Sequence, residues 1–216
     1  MARKRFTDRA DAGRHLAERL SELALGDDAL ALGVTREGMP VAAALAEQTG
    51  AELDVFVVRR LFPPGDDAAA FGVIATGGAR VYNTEVLDGL SLTPDEIDEI
   101  EARERDELER AERALRGDAP PPRLAGRTIV LVDDGLGAGL NMFAALQAAR
   151  TEGPERIVVA VPVAAPDVAD ALGIHADAAV CLHTPATLVS IGDWYEDFPA
   201  VTDDDVRNLL ERARAS

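Results

Sequence analysis

The feature that most constrains the fold is a set of short apolar runs that do not alternate with polar residues. Residues 29–34 (ALALGV), 53–58 (LDVFVV), 128–134 (TIVLVDD), 156–163 (RIVVAVPV) and 178–183 (AAVCLH) carry apolar side chains at successive positions. Successive strand residues point to opposite faces of a sheet, so such runs are buried on both faces. Between them lie segments with helical spacing: 8–24, 39–49, 141–151, 166–173 and 203–214. In the first, Leu16, Leu20 and Leu23 share a face behind an Asp8 cap, and Gly50 ends the second. Strands alternating with helices imply an α/β fold, a parallel β-sheet flanked by helices. The 216 residues suffice for one such core, and 1–216 reads as a single domain.

Two stretches depart from the alternation. Residues 59–118 read as a small insertion made of a flexible loop, a hairpin and a charged helical arm. Its loop holds FPPGDD, and its hairpin joins GVIAT (72–76) to ARVYN (79–83) through Gly77-Gly78. The helix over 94–116 opens with Thr93, Pro94 and Glu96, a capping box with proline at the first helical position. Acid-before-base pairs such as Glu99/Arg103 and Glu112/Arg116 recur at i,i+4. Its apolar stripe (Ile97, Ile100, Leu108, Ala111, Leu115) is thin, so the helix reads as a solvated arm. Contact with a second copy, as in a homodimer, is the open alternative. After the APPPR connector (119–123) the alternation resumes, and 184–216 reads as a C-terminal hood-like segment and helix.

Charge narrows the partners. With 39 Asp+Glu against 22 Lys+Arg the net charge is −17, which argues against nucleic acid and against anionic membrane surfaces. No apolar run is long enough to span a membrane, and no apolar h-region follows the N-terminal charges, so the expected location is cytoplasmic. One cysteine, Cys181, excludes an internal disulfide framework and reads as an inert core thiol. The acids are dispersed, and Lys4 is the sole lysine. That pattern fits a halophilic host in which salt screens carboxylate repulsion. A GC-rich genome writing Arg for Lys is the competing explanation.

Residues 128–150 carry the chemistry. An apolar strand ends in Asp133-Asp134, a turn with Gly135, Gly137 and Gly139 follows, and a helix begins near Asn141. In open α/β sheets ligands bind beyond the carboxyl ends of the strands. A glycine turn feeding a helix N-terminus presents N–H groups to an anion, and adjacent carboxylates accept hydrogen bonds from vicinal hydroxyls. The pattern suits a phosphorylated, hydroxyl-bearing ligand; aspartates that merely cap the next helix are the plain alternative. The glycine spacing is not that of a dinucleotide fold.

VLVDDGLGAGLN resembles the hallmark of the type I phosphoribosyltransferases, an apolar strand, two acids and a turn of the form G-I-A-T-G-x-T. Ala138 and Asn141 stand where that family has threonines. The chain is most similar to a broadly annotated bacterial and archaeal subgroup. Its P-R-G-G-V-P-V loop corresponds to Thr35-Arg36-Glu37-Gly38-Met39-Pro40-Val41, with Glu37 in place of a glycine. Its V-R-K-L-G-x-P-G-N-P-E segment corresponds to VVRRLFPPGDDA, with Arg60 for the lysine and Ala68 for the glutamate.

The resemblance implies transfer of a phosphoribosyl group from phosphoribosyl pyrophosphate to a nucleobase-like nitrogenous base, with Mg²⁺ as cofactor. Asp133 and Asp134 would grip the ribose hydroxyls, touching the metal only indirectly. Gly135, Leu136, Gly137, Ala138, Gly139, Leu140 and Asn141 would hold the 5′-phosphate. Arg36, Glu37, Gly38 and Arg60 would surround the pyrophosphate. Ile191 and Trp194 would meet the base, with core packing of Trp194 equally open. A non-catalytic phosphoribosyltransferase-fold sensor of a nucleotide or phosphosugar is the alternative, and an interaction protein using the 94–116 arm a third. His15 and His175 read as surface residues, and His183 lies at the presumed ligand edge.

Overall fold

A computed structural model describes residues 6–65 and 69–215. Lys4 and Ala68, both singled out above, lie outside the described residues.

Five parallel strands form the main sheet: β1 (Leu30–Gly33), β2 (Glu52–Val55), β6 (Thr128–Val132), β7 (Arg156–Val163) and β8 (Ala178–His183). Their order across the sheet is β2-β1-β6-β7-β8. Every residue of β1 and β6 is buried. The two faces are read from alternate side chains. Ile129 and Leu131 pack with Met142, Ala145 and Leu146 of helix α5 (Leu140–Thr151) and with Val168 and Leu172 of α6 (Pro166–His175). Val130 and Val132 pack with Leu16 and Leu20 of α1 (Arg9–Leu20), Val41 and Leu45 of α2 (Met39–Thr49), and Val206 and Leu210 of α7 (Asp203–Ala215). The double-sided burial expected from the unbroken apolar runs is met in β1, β6 and nearly all of β7, whereas β8, at the edge of the sheet, is only half-buried at every residue.

The apolar run 53–58 does not stay in one strand. β2 ends at Val55, and β3 (Val58–Leu61) belongs to a second, antiparallel sheet with β4 (Gly72–Ala75) and β5 (Arg80–Tyr82), in the order β3-β4-β5. The GVIAT/ARVYN hairpin is present, and a short helix α3 (Thr84–Gly89), not expected from the sequence, follows it. Helix α4 (Pro94–Arg116) has its capping box as expected.

α4 differs from a solvated arm. Ile100 and Leu108 are buried with Leu61, Phe71 and Ile74 of the side sheet, and Leu115 joins the main core. Two charged residues are buried with them. Glu101 accepts hydrogen bonds from the Tyr82 hydroxyl and Arg105, and the Arg116 guanidinium donates to Asp54 Oδ1 (2.9 Å) and to the Val55 carbonyl (2.7 Å). The stripe is thin because ion pairs complete the seam.

Candidate functional site

β1 and β6 are neighbours in the sheet, so the segments leaving their carboxyl ends lie side by side. One is the loop 34–38 ahead of α2. The other is Asp133-Asp134 and the turn 135–139 ahead of α5. Their contact is close enough to dictate a glycine: a Cβ added to Gly38 would lie 2.8 Å from Asp133 Cα and from its Oδ1. The Thr35 hydroxyl donates to Asp133 Oδ1 and accepts from the Gly38 N–H (3.1 Å).

The turn then passes the carboxyl end of β7. Leu136 bridges to Ala164, its N–H donating to the Val163 carbonyl at 2.9 Å. Gly139, at φ +68°, is the N-cap of α5. The first-turn N–H groups of that helix have no carbonyl within it to meet. They head a small cavity of about 120 Å³ lined by Asp133, Gly135, Leu136, Gly137, Gly139, Leu140, Asn141 and Met142. Ala138, the remaining turn residue, is exposed.

Asn141 also lines a second cavity of about 370 Å³. Thr35, Arg36, Glu37 and Asp203 give it a polar wall, and Val55, Val57, Val58, Ala111 and Leu115 an aliphatic one. Arg36 is exposed and pairs with Asp203 at 2.9 Å. The structure therefore gathers Asp133, the 135–141 turn, Arg36, Glu37 and Gly38. Arg60 is not among them: its guanidinium lies 5.0 Å over the Phe62 ring, and it lines neither cavity.

The two acids differ. Asp133 and Asp134 are both buried, at 6% and 5% exposure. Asp133 lines the small cavity. Burial, with the like charges of Asp134 and Glu37, pushes its carboxyl up to about 7. Asp134 is also raised by burial, and is held down by a cation that sequence reading missed. Arg9 Nε donates to Asp134 Oδ2 at 2.9 Å, and both side chains are buried. The Tyr195 hydroxyl donates to the Asp134 carbonyl at 2.6 Å. Asp134, expected to grip a sugar hydroxyl, thus has one carboxylate oxygen paired with Arg9, as a carboxylate this deep needs a partner.

Trp194 requires a correction as well. It is buried, and its ring stacks on His183 with centroids 4.9 Å apart, within a cluster that includes Phe6, Val163 and Tyr195. It is a core residue. Ile191 is half-buried and packs on Gly135, where an added Cβ would lie 2.7 Å from Ile191 Cγ2. Burial pushes the Cys181 thiol up to about 11; the residue, expected in the core, is half-buried on β8 and packs against the core from its edge. His15 and His175 are exposed. Among the described residues, no helix is long and apolar enough to cross a membrane.

Comparisons with known proteins agree with this architecture. The phosphoribosyl transferase domain family matches residues 3–177. Provisionally named phosphoribosyl transferases from two strains of Mycobacterium tuberculosis are 43% identical over 211 residues, 97% of this chain and 47% of theirs. The chain thus spans about half the length of the curated relatives it matches. The crystal structure of TT1426 from Thermus thermophilus is 40% identical, with a TM-score of 0.84 over 96% of this chain and 98% of that one. On this match and on the parallel sheet with its acid-pair turn, the chain belongs to the type I phosphoribosyltransferase family.

Proposed function

We propose that the chain transfers a phosphoribosyl group from phosphoribosyl pyrophosphate to a nitrogenous base. One observation carries this reading: Asp133 and the glycine turn heading α5 line one cavity, residues 35–37 line a second, and Asn141 lines both. The turn 135–141 and the α5 N-terminus take the 5′-phosphate, since free N–H groups and the helix dipole favour an anion there. Asp133 accepts from a ribose hydroxyl. Its negative charge also stabilises the positive charge that develops at the anomeric carbon as the bond to pyrophosphate breaks. Arg36 and the backbone at 37–38 take the pyrophosphate. Ile191 borders the base.

Mg²⁺ fits the donor set in a limited way. Among the described residues no three His, Cys, Asp or Glu side chains form a metal cage. Mg²⁺ is commonly held by one or two carboxylates plus substrate phosphates, and Asp133 with Glu37 can supply the protein's share. When bound, the ion neutralises pyrophosphate oxygens.

The test is calorimetry with phosphoribosyl pyrophosphate and Mg²⁺ in multimolar KCl, followed by pyrophosphate release with a panel of bases. Binding with release supports the transferase, and absence of binding overturns it. The Arg9–Asp134 pair favours a second reading, a non-catalytic sensor of a nucleotide or phosphosugar, because it withdraws one acid from the sugar. Nucleotide binding without turnover would establish that one.

A further inference from the structure

We infer that the two adjacent acids have separate tasks: Asp133 meets the sugar, and Asp134 with Arg9 is a positioning pair that ties the 195–199 segment to the phosphate turn. The inference rests on the phosphoribosyl reading above.

Arg9 lies near the start of the chain, the acid pair 125 positions later, and the 195–199 segment beyond both. One buried guanidinium joins all three. Its Nε meets Asp134, its Nη1 donates to the Pro199 carbonyl at 2.6 Å, and its carbon sits 3.8 Å over the Phe198 ring. Tyr195 closes the ring of contacts, stacking on Phe198 at 4.8 Å and donating to the Asp134 main chain. Asp134 is therefore held through both its side chain and its backbone, whereas Asp133 opens on the small cavity. Because the two are consecutive in the chain, any shift of the 195–199 segment is passed to Asp133 through the Asp134 backbone. A ligand that orders Asp133 would in turn be felt at Tyr195 and at its neighbour Trp194, which is the sole tryptophan.

That residue supplies the readout. Asp133→Asn, Asp134→Asn, Arg9→Met and the double variant Arg9→Met/Asp134→Asn are titrated with phosphoribosyl pyrophosphate and Mg²⁺, following heat and Trp194 emission. The wild type should bind and shift its emission. Asp133→Asn should weaken binding about 10–100-fold, the range for a lost hydrogen bond to a charged group. The double variant removes both charges of the pair and so strands neither. It should bind within about threefold of wild type, with no emission shift on binding. If a single variant at Arg9 or Asp134 does not fold, the double variant carries the test alone. Loss of binding in the double variant equal to that in Asp133→Asn would overturn the division of tasks. An emission shift that survives in the double variant would overturn the coupling. A wild type that binds nothing would overturn the transferase reading itself, and this inference with it.

Discussion

Two arginines are buried to the same degree, 5% exposed each, and they sit in opposite electrostatic situations. Arg116, at the end of α4, is in direct contact with each acid it faces: Asp54 at 2.9 Å, the partly exposed Glu112 at 3.2 Å, and the Val55 carbonyl besides. Arg9 faces one member of a group of three acids, since Asp134, Asp133 and Glu37 act on one another. The first arrangement fastens α4 to β2. The second leaves an excess of negative charge beside a cavity, and that excess adds to burial in raising Asp133. A buried charge with its partners in place reads as scaffold; a buried surplus facing a cavity reads as a site awaiting a ligand.

The comparison can be broken first at Arg116. Arg116→Met strands Asp54 in the core, which costs about 3–5 kcal/mol and lowers the melting temperature by roughly 10 °C. Adding Asp54→Leu should recover more than half of that loss, as followed by thermal denaturation. Gly38→Ala comes next. Its Cβ would meet Asp133 Cα, which cannot swing aside, so stability falls by about 1–3 kcal/mol. Gly137→Ala, with nothing within 4 Å, is the matched control and should leave the melting curve in place.

Asp133→Asn has the opposite sign. The folded carboxyl keeps its proton up to about 7, whereas the unfolded one loses it near 4. Through that window the folded state binds more protons, so stability drops as pH rises. The asparagine variant should therefore be more stable than wild type at pH 8, by up to about 4 kcal/mol, and equal to it near pH 4. Guanidinium melts across pH would check this. The smallest effect belongs to the exposed Arg36–Asp203 pair, where Asp203→Ala should change stability by less than about 1 kcal/mol.

The five main strands and the acid pair were legible because both signals are local: burial on two faces shows as an unbroken apolar run, and Asp-Asp before glycines shows at the end of one. The exceptions share a cause. Phe56 and Val57 are apolar in either sheet, so the run 53–58 hid the point where the chain leaves one sheet for the other. α4 looked solvated because Glu101 and Arg116 are buried only by partners on other elements. Arg9 carries no mark of its role, since its acid lies 125 residues away. Arg60 matched a motif by position, yet its guanidinium stacks on Phe62 and it lines neither cavity. The aromatic near the hood was legible as a type of residue, but its neighbour Phe6 comes from the opposite end of the chain.

β1 sits between β2 and β6, and the hydrogen bond from Thr35 to Asp133 spans 98 residues. During synthesis at about 5–20 residues per second, β1 and its loop wait some 5–20 s before their second neighbour exists. For that interval one side of an entirely apolar strand offers unpaired amides and carbonyls, an invitation to pair with the wrong chain. The adjacency that builds the pocket thus sets a hazard for the nascent polypeptide, and expression yield should depend on how quickly the ribosome reaches residue 132.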